Sequence, residues 1–143
     1  PFVRPAPPKP VQKRPALAGV TPYTLLRTCF RIGEAFNYGH EAGCDVVVEL
    51  YARVLWSHRV GVKQLFKFAD IFYDQRPPYL EGCYQCWKGN ELWDRESQPF
   101  LAGDKKLARV IGRMKQTGRG AKLLVFNIWE AEWADIEYSR AIV

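Results

Sequence analysis

Two neighbouring segments with strand-like alternation constrain this chain more than any other feature. Residues 45–58 place Leu50, Val54 and Trp56 on one face, and residues 62–72 alternate again after a short turn. A period of two residues is typical of β-strands that bury one face in a core. A short turn joins antiparallel neighbours, so the sequence predicts that these two strands pair side by side.

The residues before this pair predict a further strand and a loop. Residues 23–36 are rich in β-branched and aromatic side chains, which favours a long strand with a bend at Gly33. Residues 37–43 are polar and contain two glycines, which is typical of a loop. The three strands together would form a β-meander.

The chain beyond the meander predicts a more irregular section. Residues 74–78 break the pattern, because two consecutive prolines remove backbone donors from any ladder. Residues 79–93 are rich in aromatics and predict a short hairpin, and residues 94–103 predict a loop. Residues 121–130 predict an apolar strand, whereas residues 132–143 fit either a helix or a final strand.

Residues 104–116 predict a helix between these segments. Asp104 is a suitable N-cap, because its carboxylate can accept from the first free backbone amides. Apolar residues then recur at the spacing of one helix face. They are Leu107, Val110, Ile111 and Met114.

The amino-terminal residues have a different composition from the rest. Residues 1–22 contain seven of the ten prolines, and residues 1–20 carry four basic and no acidic side chains. We expect a disordered basic tail or linker over residues 1–22, followed by a single domain over residues 23–143. The composition of the tail favours a solvated linker over a basic arm that contacts phosphates or an import receptor. Because the chain begins at Pro1, we expect it to be part of a longer protein.

The order of these elements resembles the OB-fold, a small five-stranded barrel that commonly binds oligonucleotides. The resemblance rests on residues 46–56, 62–72, 104–116 and 123–128, and it departs from the simple pattern between residues 74 and 104. It implies a mainly β fold, that is, a β-rich α+β barrel with one or two helices. Other small barrels and an α+β sheet are the alternatives. The resemblance also implies oligonucleotide binding, with protein-binding relatives as the exception.

A nucleic-acid interface needs cations for phosphates and flat side chains on which bases can stack. Aromatic residues make up 14% of the chain, and basic residues follow the second and third strands and the predicted helix. We expect stacking from Tyr51 and Trp56, with phosphate contacts from a stripe on the helix and from neighbouring strands. The full predicted set is Tyr51, Arg53, Trp56, Arg59, Lys63, Lys67, Lys105, Lys106, Arg109, Arg113, Lys115 and Arg119. Alternatively, the aromatics pack the barrel and the charges form solvated faces.

Two classes of function therefore remain open. The first is a non-catalytic module for single-stranded DNA or RNA, in repair, replication, telomere maintenance or recombination. The second is a scaffolding or dimerisation domain of a nuclear complex, with a protein partner or a second copy of the chain. Tyr84, Trp87 and Trp93 would then anchor the partner, because Trp and Tyr are favoured at interfaces.

Catalytic and metal-binding patterns are weak. Cys83 and Cys86 form a single CxxC pair, and a structural zinc site usually needs two such pairs. Neither histidine belongs to a metal-binding motif, so we expect no metal, no cofactor, no small-molecule substrate and no catalysis. The sequence contains no apolar run of the roughly 20 residues that a membrane span needs. We expect an intracellular protein, in the nucleus rather than the cytoplasm.

Overall fold

The computed structural model describes residues 25–39, 46–117 and 120–142. The predicted tail over residues 1–22 lies outside these ranges. The described elements are β1 (Leu25–Cys29), α1 (Ile32–Gly39), β2 (Val46–Val60), β3 (Lys63–Ala69), β4 (Leu80–Tyr84), α2 (Glu91–Ser97), a 3-10 helix (Gln98–Ala102), β5 (Leu107–Thr117), β6 (Gly120–Glu130) and α3 (Trp133–Ile142).

Five of the strands close into a barrel. Strand β2 pairs with β3 through its second half and with β5 through its first half. The order β2-β3-β4-β6-β5 therefore returns to β2, with β4 and β6 parallel and the other barrel pairs antiparallel. Strand β1 adds to β2 as a parallel neighbour outside the ring. The predicted mainly β, OB-like barrel is confirmed.

The barrel interior holds the main core. Leu50 and Val54 of β2 meet Phe66 and Phe68 of β3, and all four side chains are almost fully buried. Burying an apolar side chain of this size stabilises the folded state by about 1.5–3 kcal/mol. The amphipathic helix α1 packs Ile32 into the same core. The alternation from Leu50 to Val54 and from Lys63 to Phe68 therefore marks the inner face of β2 and β3.

The predicted helix over residues 104–116 is wrong, because most of this segment forms strand β5. Val110 faces the main core, whereas Ile111 packs into a second apolar cluster on the outside of the sheet. The register shift after Ile111 skips Phe126, so the bulge belongs to β6, and β5 keeps its alternation with Met114 packed against the main core. Apolar residues on both faces of the strand thus imitate helical spacing. Asp104 caps no helix and instead pairs with Lys106 at 2.9 Å.

The predicted strand over residues 23–36 is too long, and the predicted three-stranded meander is wrong, because β1 pairs with β2 in parallel. Strand β1 ends at Cys29, and α1 takes up the first part of the predicted loop as well. The buried carboxylate of Asp70 accepts hydrogen bonds from the Ile32 backbone N–H at 2.7 Å and from Arg31 Nε at 3.1 Å. A helix start can be satisfied by such an acceptor. Because this acceptor lies far away in the sequence, local patterning does not predict it.

The section between β4 and β5 is helical where a hairpin and a loop were predicted. Of the predicted hairpin over residues 79–93, only β4 forms a strand, and α2 and the 3-10 helix follow it. The Asn90 side chain caps α2 by accepting from the Trp93 backbone N–H at 3.1 Å. The ambiguous carboxyl-terminal segment forms the helix α3. Residues 121–130 are the predicted strand, within β6.

Candidate nucleic-acid interface

The outer face of β2 and β3 carries exposed aromatic and basic side chains. In the cross-strand register, Trp56 lies opposite Lys67, and Val60 lies opposite Lys63. His58 shares this outward orientation, and Tyr79 precedes β4 beside the same surface. We call this surface the strand face. It consists of Trp56, His58, Lys63, Lys67 and Tyr79.

A bulge in β2 explains why Trp56 reaches this surface. The alternation in the sequence places Trp56 on the same side of the strand as Leu50 and Val54. The register shifts between Val54 and Trp56, which turns the indole outward. A β-bulge reverses the alternation in this way and often redirects a side chain beside a functional site. The predicted orientation was therefore wrong, whereas Trp56 remains available for stacking.

The rings of the strand face are arranged for contact with a flat ligand. Trp56 is 37% exposed, and its ring stacks on His58 with centroids 4.8 Å apart and an angle of 24°. The Lys67 ammonium lies 4.7 Å from the centre of the Tyr79 ring. An exposed ring beside a cation can hold a base and its phosphate together.

An acidic side chain reduces the positive charge of the strand face. Glu81 of β4 lies directly opposite Lys67, and its carboxylate forms an ion pair with Lys122 at 3.6 Å. Both partners are about half exposed, so solvent screens the pair. The strand face is therefore only moderately basic.

Tyr51 does not belong to an open surface, contrary to prediction. It points outward from β2, but α3 covers it, and its hydroxyl is hydrogen-bonded to Ser139 at 2.9 Å. Burial raises the pKa of this phenol above its usual value. The Tyr51 ring stacks on Phe30 and is only 4% exposed, so it offers no open face to a base.

Three of the predicted arginines are held against the protein. Arg59 turns inward, forms an ion pair with Asp94 at 2.8 Å and lies over the ring of Trp87 at 3.9 Å. Arg109 is buried beside Glu49. Arg113 is half-buried, 5.8 Å from the centre of the Phe126 ring. The helical stripe that Lys106, Arg109 and Arg113 were predicted to form does not exist, because the segment is a strand.

The other predicted cations are dispersed. Lys105 lies near Asp74 at 3.6 Å, and Lys106 contacts two carboxylates. Lys115 is exposed towards the end of β5, and Arg119 lies outside the described residues. Arg53 is half-buried and donates to the carbonyl oxygens of Lys105 and Ile71.

The residues of the alternative function lie mostly in the interior. Tyr84 is 1% exposed and Trp87 is 7% exposed, so neither offers an anchor to a partner. Trp93 is half-buried and packs against the core. Tyr84 and Trp87 belong to the main core of the barrel.

The cysteine pair shows no metal geometry. No group of three or more His, Cys, Asp or Glu residues within the described ranges could hold a metal ion. Cys83 and Cys86 are both half-buried free thiols. Burial raises the pKa of the Cys86 thiol, and it raises the pKa of Cys29 to about 12. Thiols of this kind are poor nucleophiles near neutral pH.

A second group of exposed rings was not predicted. The rings of Phe72 and Trp133 stack with centroids 5.4 Å apart, and Tyr73 is exposed beside them. Four guanidinium groups lie 5.7–5.9 Å from the centres of these rings. We call this surface the aromatic platform. It consists of Phe72, Tyr73 and Trp133 with Arg31, Arg53, Arg76 and Arg140.

The barrel order, the parallel β4–β6 pair and the helix between β4 and β5 define an OB-fold. No known family profile matches the chain. The chain is 29% identical over 120 residues to the meiotically up-regulated gene 37 protein of Schizosaccharomyces pombe, a match that covers 82% of this chain and 52% of that protein. The chain therefore spans about half the length of this curated relative.

Solved structures share the fold at low sequence identity. A replication protein A heterotrimer bound to ssDNA has a TM-score of 0.54 at 10% identity, covering 81% of this chain and 89% of that one. Yeast Stn1 and Ten1 reach 0.51 at 6% identity, covering 82% of this chain and 87% of that one. An OBody bound to hen egg-white lysozyme reaches 0.50 at 14% identity, covering 71% and 89%. At these identities the likeness shows the common fold.

Within the described ranges, no helix is long and apolar enough to cross a bilayer.

Proposed function

We propose that this domain binds single-stranded nucleic acid along the strand face and catalyses no reaction. The observation that carries the proposal is the outward-turned Trp56, stacked on His58 and directly opposite Lys67. OB-folds commonly bind oligonucleotides on the outer face of the second and third barrel strands, which are β3 and β4 here, and Trp56 lies on β2 directly beside β3. Bases would stack on Trp56 and Tyr79, while Lys63 and Lys67 would contact phosphates.

This proposal assigns the chain to nuclear DNA or RNA metabolism, of the replication, repair, telomere or recombination type. The fold shared with a replication protein A heterotrimer bound to ssDNA supports this choice. The alternative, a protein-interaction domain, loses support because two of its three predicted anchors are buried. Any partner would have to use other residues.

We expect Trp56→Ala to weaken binding of a labelled single strand of about 20 nucleotides by roughly tenfold or more, because stacking contributes about 1–3 kcal/mol per base. Reversing charge with Lys63→Glu and Lys67→Glu should weaken binding further and reduce its salt dependence. Fluorescence anisotropy at two salt concentrations measures both effects.

Leu92→Ala is the matched control for this series, because Leu92 is 48% exposed on α2, off the strand face. It should bind as the unaltered chain does. Equal affinities for the unaltered chain and the Trp56→Ala chain would remove the strand face as the binding site. Binding that depends only on residues 1–22 would mean that a basic arm binds the strand non-specifically through its charge.

Glu81→Gln should tighten binding a few-fold, since exposed charge pairs contribute about 0.2–1 kcal/mol. The change removes a negative charge opposite Lys67 and releases Lys122. Glu91→Gln is the control, because Glu91 is also an exposed, ion-paired carboxylate but lies on α2. If both variants change the affinity equally, the effect comes from net charge and not from the strand face.

A further inference from the structure

The aromatic platform is assembled from four parts of the chain that are distant in sequence. Arg31 comes from the junction of β1 and α1, Arg53 comes from β2, Phe72 and Tyr73 come from the segment between β3 and β4, and Trp133 begins α3. The platform and the strand face share no residue, although β2 and the segment before β4 contribute to both. The platform is therefore a separate surface that the fold brings together.

The rings of the platform are unusually open to solvent. Phe72 is 54% exposed, Tyr73 is 52% exposed and Trp133 is 41% exposed. An exposed cluster of large rings is a common mark of a binding surface. The rings of Phe72 and Trp133 are stacked with an angle of 28° between their planes. A nucleic-acid base could extend this stack by packing on the outer ring.

The charges around the rings favour an anionic ligand. Within the described part of the chain, neither Arg76 nor Arg140 forms an ion pair, and Arg53 donates only to neutral carbonyls. Arg31 is the exception, since Asp70 compensates its charge. A ligand that combines a flat face with a negative charge suits this surface, and a nucleotide combines both. An acidic peptide would satisfy the arginines but would leave the rings without a planar partner.

The platform lies along the same outer side of β2 as the strand face. Arg53 belongs to the platform and precedes Trp56 by three residues, which is about 10 Å along a strand. Its guanidinium group lies 5.9 Å from the centre of the Trp133 ring. A strand of nucleic acid could thus pass from Trp56 over Arg53 to Phe72 and Trp133 without leaving the surface.

We propose that the aromatic platform is a second base-stacking site, onto which a single strand bound at the strand face continues by way of Arg53. This inference rests on the proposed function. It adds a site on α3 and on the segment between β3 and β4, beyond the strands and loops that OB-folds commonly use. It also implies that affinity rises with oligonucleotide length until both sites are occupied.

The test compares oligothymidylates of about 4 and about 12 nucleotides, lengths that fit one site and both sites respectively. The double variant Phe72→Ala with Trp133→Ala should weaken binding of the longer strand by roughly tenfold or more and change the shorter by about twofold at most. Arg76→Glu with Arg140→Glu is a second variant that leaves all three rings in place. Leu92→Ala is again the control, and circular dichroism confirms folding.

The outcomes separate the two proposals. Weaker binding of only the longer strand supports the platform. If Trp56→Ala weakens both strands while the platform variants bind the longer one normally, the platform takes no nucleotide and only the strand face is a site. If the platform variants bind normally but lose self-association in sedimentation, the platform is a protein interface. An unaltered chain that binds neither strand overturns the proposed function itself.

Discussion

Phe68→Ala is expected to lower the free energy of unfolding by about 3–5 kcal/mol, the usual cost of removing a buried phenylalanine. Phe68 is fully buried in the barrel, and its ring stacks on Phe66 with centroids 5.3 Å apart. It also fills the space above Gly82, where an added Cβ would lie 2.7 Å from Phe68 Cε2. Urea unfolding with linear extrapolation measures the loss.

Phe72→Ala provides the matched control, four residues further along the chain. Its ring is 54% exposed, so the same substitution should change the unfolding free energy far less. The pair separates core packing from the proposed role of the platform in binding. Similar losses from both substitutions would contradict the placement of Phe72 on an open surface.

Gly112→Ala is expected to destabilise the fold by about 1–3 kcal/mol, as overpacking usually does. Gly112 lies opposite Val125, next to a bulge in β6, where an added Cβ would approach the Leu124 carbonyl oxygen to 2.3 Å. Because that oxygen belongs to the backbone of β6, it cannot move aside easily. In a helix the same substitution would stabilise by about 1 kcal/mol. The sign of the effect therefore decides between strand β5 and the helix that the sequence suggests.

Gly33→Ala is the control for this substitution. Gly33 lies in α1, and nothing is within 4 Å of an added Cβ there. The change should raise the unfolding free energy by about 0.5–1 kcal/mol, because alanine loses less entropy than glycine in a helix. A stabilising Gly112→Ala would overturn the barrel closure between β5 and β6.

The sequence predicts those parts of the fold in which one face of a strand is buried. Residues 45–58 and 62–72 alternate because the interior of the barrel lies on one side of β2 and β3. The prediction fails at residues 104–116, where Val110 and Ile111 are both buried on opposite faces of β5. Because both faces of β5 are buried, apolar and polar residues do not alternate along it, and the apolar spacing then resembles that of a helix.

The candidate site was predicted only in part, for reasons of the same kind. Lys63 and Lys67 were assigned to an outer face and are found there, and Trp56 joins them because of a bulge that local pattern does not show. Tyr51 does not belong to the candidate site, because α3 covers it. The aromatic platform needs Trp133 beside Phe72, and only the tertiary fold brings them together.

The most direct test of the central claim is an amide NMR titration of the chain with a single-stranded oligonucleotide of about 12 nucleotides. We expect the Trp56 indole N–H and the amides from Lys63 to Lys67 to shift first, since these groups line the strand face. Shifts confined to residues 1–22, or to the buried surroundings of Trp87 and Trp93, would contradict the account.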